Sequence, residues 1–231
     1  MRRTLFASLI LVFLALPAFS QFRTGYSELE DSDMVRTLRS HVTYLSSPEM
    51  EGRAPGSEGE KAAAGYVQSV LESYGIDILS GEEGDIFGIS RESGDTLVSR
   101  NVAGFVPGYD NSLKDRFIVV GARLDNLGTT TLEVDGTPVT QVYAGANGNA
   151  SGLAMMLELA RMVSTNSILF RRPVLFVAFG ASTQGFACSW YFLNRSLGSK
   201  LKIDAMVNLD MLGSGNSGLF AYTSSNPDMN M

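Results

Sequence analysis

Three apolar runs, Phe117–Ala122, Val174–Phe179 and Ala205–Leu209, the last broken only by Asn208, are separated by segments of helical pattern. A strand with one wet face alternates apolar and polar side chains. A strand that is apolar throughout suits cover on both faces, the condition of a largely parallel sheet with helices packed on either side. The runs therefore predict an α/β chain: a three-layer helix–sheet–helix sandwich on a largely parallel mixed sheet. Further strands are expected at about Ile86–Arg91 and Arg100–Val106. A chain of 231 residues, 45% hydrophobic and 18% charged, is long enough and apolar enough for one full-sized domain.

Helical spacing of Met34, Leu38, Val42 and Leu45 predicts a first helix from Ser32 or Asp33 to about Leu45, stopped by Ser46-Ser47-Pro48. Ser57-Glu58-Gly59-Glu60 has the spacing of a capping box. The helix it opens carries Ala63, Tyr66, Val67, Val70, Leu71 and Tyr74 on one face and ends at Gly75. A third helix, Ala150 to about Val163, is apolar nearly all round, with only Glu158 and Arg161 charged, and should lie buried against the sheet. A fourth is expected over Gln184–Leu193. Asp135-Gly136, flanked by alternating residues, marks a small hairpin between Leu132 and Val142.

Residues 1–20 read as a secretory signal peptide. Arg2 and Arg3 form the basic start, Leu5–Leu16 the short apolar run, and Ala18-Phe19-Ser20 the small-x-small cleavage site. The alternative for this run is a short membrane anchor. No later segment is long and apolar enough to span a bilayer, so no stable membrane span is expected after signal removal. An exported protein, periplasmic or secreted, is expected. Loss of Arg2 and Arg3 takes the formal net charge from −6 to −8, which argues against nucleic acid and anionic membrane surfaces as partners. Cys188 is the only cysteine, so no internal disulfide can form; it sits in an apolar helical stretch and reads as a buried small hydrophobe. Tyr109, Tyr143, Trp190 and Tyr191 read as core or edge packing.

In an open α/β sheet, ligands sit beyond the carboxyl ends of the strands. Arg123 and Asp125 follow the first apolar run, Ser182 and Thr183 the second, and Asp210 the third. Asn147 and Gly148 precede the third helix. These seven residues predict one crevice. The single histidine, His41, precedes all of them, lies at the edge of the first helix's apolar face, and reads as a partly buried structural residue.

The segments around these positions read FIVVGARLDNLG, GANGNASG, VAFGASTQG and NLDMLG. They resemble the two-zinc aminopeptidase family that also contains the glutaminyl cyclases (clan MH). Its patterns are V-V-G-A-H-x-D-H-x-G, G-A-D-D-N-A-S-G, A-F-G-A-E-E-x-G and N-x-D-M-x-G. The stretch LSSPEMEGRAPGS, from Leu45 to Ser57, is similar to the family's L-x-S-x-x-x-x-G-R-x-x-G-S. The resemblance implies a zinc exopeptidase-like, metallopeptidase fold over 21–231. It also implies that this domain is truncated at its C-terminus, where the family continues with sheet and helix elements and a last zinc-binding His. A strand is expected at Gly218–Tyr222.

Carried over residue by residue, the resemblance places Arg123 where the family has a zinc-binding His and Gly148 where it has the metal-bridging Asp. Ser182 and Thr183 stand at the Glu-Glu pair. Asp210 alone matches a ligand, and Asp125 matches the orienting Asp. A two-zinc site needs about five or six N and O ligands, so no metal is expected here, although zinc is the family cofactor. No catalytic residue is expected either, since Ser182, at the general-base position, cannot take a proton from water at neutral pH. A guanidinium at 123 offers to replace the missing metal charge by pairing with Asp210 and Asp125; the alternative is Arg123 in solvent and Asp210 hydrated. Two functions follow. One is a catalytically inactive, exported aminopeptidase-like protein that binds a peptide, an amino-terminal group or a protein partner in the vestigial crevice. The other is an active metal-dependent aminopeptidase or glutaminyl cyclase with a rebuilt site.

Overall fold

The structure, a computed structural model, describes residues 32–197, 201–215 and 220–221. The signal peptide, the arm over 21–31 and most of the strand expected at 218–222 lie outside them. The chain divides into two compact units, Met1–Ser40 and His41–Met231. Helix α1 (Asp33–Leu45) begins in the first; every other described element belongs to the second.

The second unit carries a six-stranded sheet. Its strands are β1 (Asp77–Ile78), β2 (Asp85–Ser90), β3 (Thr96–Val106), β4 (Arg116–Arg123), β7 (Val174–Phe179) and β8 (Lys202–Leu209). Along the sheet the order is β1-β3-β7-β4-β8, with β2 also paired to β3. β4 runs parallel to β7 and β8, whereas β3 is antiparallel to β1, β2 and β7. The parallel character is thus confined to the three strands read from the apolar runs.

β7 shows why such a run is apolar at every position: all six of its residues are buried. Val174, Phe176 and Ala178 face one cluster, with Val67 and Leu71 of α2 (Glu58–Ser73) and Leu153 and Leu157 of α3 (Ser151–Thr165). Leu175, Val177 and Phe179 face the other, with Phe87, Val119 and Cys188, the last on the short helix α4 (Ala187–Tyr191). Period-2 alternation sends successive side chains to opposite faces, and both faces are covered.

Ser57 caps α2 as its spacing predicts, accepting from the Glu60 backbone N–H at 3.1 Å. Gly75, at φ +71°, follows the helix. The hairpin forms β5 (Thr129–Val134) and β6 (Thr137–Val142), a separate two-stranded ladder. Asp135 and Gly136 sit at φ 51° and 74°, the left-handed pair that a two-residue turn of this kind requires.

Three expectations need correction. β8 is not covered on both faces: it pairs with β4 alone among the described residues, and Met206 and Val207 are 44% and 51% exposed. Among the described residues it lies at the sheet's edge, a position that the composition of one strand does not encode. α4 starts at Ala187, not Gln184, because Phe186 takes φ 58° and the segment before it is coiled into turns. Trp190 and Tyr109 are not core, being 60% and 59% exposed.

Candidate ligand site at the strand ends

Parallel pairing puts the carboxyl ends of β7, β4 and β8 on one edge: Arg123 pairs with Phe179, and Ala122 with Leu209. Arg123, Asp125, Ser182, Thr183 and Asp210 are brought together there, as the strand-end argument predicts. The turn that leads into α3 closes the group. Its Asn149 side chain donates to the carbonyls of Leu209 (3.0 Å) and Arg123 (3.4 Å) and accepts from Met211 and Gly152 N–H (2.9 and 3.1 Å). Asn149 is completely buried, and the Gly148–Asn149 peptide is cis. Nearby, Asn147 Oδ1 accepts from Gly213 N–H at 2.8 Å.

Asp125 is completely buried and saturated. Oδ1 accepts from Ser182 N–H at 2.8 Å; Oδ2 accepts from Thr183 N–H and its hydroxyl at 2.9 and 2.7 Å. The Thr183 hydroxyl thereby spends its proton on Asp125. The Ser182 hydroxyl donates to the Phe179 carbonyl at 3.3 Å and lies 3.4 Å from Cys188 Sγ. No imidazole or carboxylate among the described residues touches that hydroxyl, so Ser182 has neither the means to act as a base nor a base to make it a nucleophile. Burial raises the Cys188 thiol above its ordinary pKa, in keeping with an inert core position.

Arg123 and Asp210 meet. Nη2 lies 3.2 Å from Oδ1, with the side chains 23% and 45% exposed. A Cβ built on Gly148 would point into the same space, 3.9 Å from Arg123 Nη2 and 3.6 Å from Asn126 Oδ1. The guanidinium thus lies beside the position where a side chain at 148 would reach.

Other residues hold the frame, and the sequence reading missed them. Arg53, completely buried, donates to the carbonyls of Leu124 (3.1 Å), Ala144 (3.1 Å), Gly145 (3.0 Å) and Leu45. Burial, then the charge of Arg123, bring its pKa down to about 10 against the opposing pull of Asp125, which leaves it cationic at neutral pH. Glu60 does not close the expected capping box. Its carboxylate is buried and accepts from Gly56 N–H, Ser99 hydroxyl and Ala181 N–H at 2.7, 2.6 and 3.2 Å. Burial raises its pKa, and those hydrogen bonds oppose the rise. Asn101 holds the same turn through Gly180 N–H at 3.2 Å. The G-R pair of the Leu45–Ser57 segment was the one available signal, for Arg53.

A two-zinc centre does not fit this donor set. The positions that the resemblance assigns to ligands and to the general base offer a guanidinium, a glycine, two hydroxyl side chains that donate to the Phe179 carbonyl and to Asp125, and one carboxylate already facing the guanidinium. Among the described residues no group of three or more His, Cys, Asp or Glu side chains is placed to hold a metal ion. An apolar cavity of about 350 Å³ lies elsewhere, lined by Ile118, Val120, Leu159, Val163 and Phe170, with Arg171 and Arg172 at its edge. Those arginines are paired with Asp110 and Asp204, so the cavity carries no comparable chemistry.

Comparison with known proteins agrees with this frame. Leupeptin-inactivating enzyme 1 of Streptomyces exfoliatus is 28% identical over 222 residues, covering 94% of this chain and 44% of that protein. Aminopeptidase YwaD of Bacillus subtilis is 28% identical over 134 residues, covering 55% of this chain and 28% of that protein. The chain thus spans less than half the length of these curated relatives. A solved Porphyromonas gingivalis glutaminyl cyclase matches with a TM-score of 0.62 at 19% identity, over 78% of this chain and 62% of that one; at that identity the likeness is one of fold. No described helix is long and apolar enough to cross a membrane. The profile of peptidase family M28 matches residues 101–230, more than half of the sequence and all of the strand-end site, and the chain belongs to that family.

Proposed function

We propose that this family M28 protein does not hydrolyse peptides and that it binds a peptide, an amino-terminal group or a protein partner at the strand-end site, after export from the cell. One observation carries the reading: the Arg123–Asp210 pair stands beside Gly148, where the family resemblance expects metal and ligands. A cation does not settle next to a guanidinium that already faces the one available carboxylate. Ser182, with its hydroxyl on the Phe179 carbonyl, supplies no general base. Export rests on the pattern of residues 1–20.

The test is metal content and turnover. Purified protein is expected to hold well under one equivalent of zinc after dialysis and to leave aminoacyl anilides and amino-terminal glutaminyl peptides uncleaved above background. Stoichiometric zinc together with chelator-sensitive turnover would overturn the reading in favour of an enzyme with a rebuilt site.

A further inference from the structure

The ligand's chemistry follows from what Arg123 leaves unused. A guanidinium has five N–H donors in a planar fork. Among the described residues the Arg123 side chain makes a single hydrogen bond, from Nη2 to Asp210 Oδ1, long for a charged pair at 3.2 Å and not bidentate. Its Nε is shielded from solvent yet finds no partner among the described residues. A shielded donor without an acceptor is costly, so an arriving acceptor gains what the protein itself does not supply.

The neighbouring groups do not satisfy it. Asp125, the other carboxylate of the site, spends both oxygens on Ser182 and Thr183 and is completely buried. Asn126 donates its amide to the Tyr143 carbonyl at 2.7 Å. Arg53, the second cation nearby, is committed to backbone carbonyls. Beside Arg123, Gly148 contributes no side chain. A Cβ there would meet only Asn126 Oδ1 and Arg123 Nη2 within 4 Å among the described residues. The space beside Gly148 thus borders the Nη2 end of a guanidinium that the protein engages through one bond only.

We infer that Arg123 receives a carboxylate from the ligand, so that the site takes a carboxylate-bearing amino acid or short peptide where the family resemblance would place metal ions. The inference rests on the binding reading above and adds the charge of the group that enters. Planar N–H pairs match the two oxygens of a carboxylate, and the ligand competes with Asp210 for the same guanidinium.

Calorimetric titration of the full chain with three probes tests this: alanyl-alanine, its C-terminal amide and its N-acetyl free acid. Both free acids are expected to bind, and the amide roughly ten-fold more weakly, the loss of one charge-assisted contact. Arg123→Gln should erase that difference. Asp210→Asn, which removes the competing carboxylate, should tighten the free acids; a purely structural role for Arg123 predicts no such gain. Equal binding of amide and free acid, or a difference that survives Arg123→Gln, overturns the carboxylate assignment and leaves the binding reading standing. Failure of both free acids to bind at millimolar concentration also overturns it. Zinc-dependent cleavage of alanyl-alanine overturns the binding reading itself. Equal binding of the two free acids shows that the carboxylate is read without the amino group, the result expected if Arg123 is the receiving group.

Discussion

Arg123 and Asp210 show how little a visible ion pair says about energy until its exposure is known. The contact is there, yet the side chains are 23% and 45% exposed, so water screens both charges. A double-mutant cycle on Arg123→Ala and Asp210→Ala should therefore give a coupling of under about 1 kcal/mol in urea unfolding; a coupling near 3 kcal/mol would mean a buried pair and refute this account. So exposed a pair contributes little to the support of the fold. Asp125 is its opposite, sealed from solvent with three donors on two oxygens. Chain position alone puts both residues at the strand ends. It does not distinguish a half-solvated carboxylate from a saturated one, because that depends on the turn over 180–183, whose backbone N–H groups arrive from another strand.

At the scale of elements, the connections that frame the site converge on Arg53. The end of α1, the residue after β4 and the turn before α3 each lend it at least one carbonyl, and those carbonyls are up to 95 residues away in sequence. No aliphatic side chain can satisfy them, and an ammonium group lacks the planar reach. Arg53→Ala is expected to cost about 3 kcal/mol or more in chemical denaturation, with several buried acceptors left unpaired, and Arg53→Lys to recover part of it. A loss below about 1 kcal/mol would show that water replaces the guanidinium freely. The helices and the hairpin were legible beforehand: Ser57 capped its helix and Asp135-Gly136 made its turn, since caps and tight turns are settled within four residues. The start of α4 was not. The apolar spacing from Gln184 suits a helix, but Asp125, Glu60 and Asn101 hold the preceding turn in place.

For the molecule as a whole, the lone histidine offers a readout of stability against pH. His41 is buried, with Nδ1 2.7 Å from the Tyr66 hydroxyl, and burial lowers its pKa below the ordinary 6.5 while Glu158 opposes the shift. A histidine whose folded pKa is depressed stabilises the fold fully above 6.5 and loses that contribution as pH falls through the folded value. Melting temperature should decline below pH 6.5, and His41→Gln should flatten that part of the profile. The wild-type imidazole, a single resonance in an NMR titration, should report the midpoint directly; a midpoint above 6.5 would reverse the sign. The sequence by itself determined the layered α/β class, the principal strands, the Ser57 cap and the convergence of Arg123, Asp125, Ser182, Thr183 and Asp210, because side-chain period and strand direction are local properties that repeat along the chain. Only the tertiary structure decided that, among the described residues, β8 stands at an edge, Asp125 is saturated while Arg123 keeps donors free, and Arg53, Glu60 and Asn149 hold the frame. Those outcomes depend on hydrogen-bond partners tens of residues apart, and a buried polar group's partner is chosen by where the fold brings a backbone group, which no local pattern records.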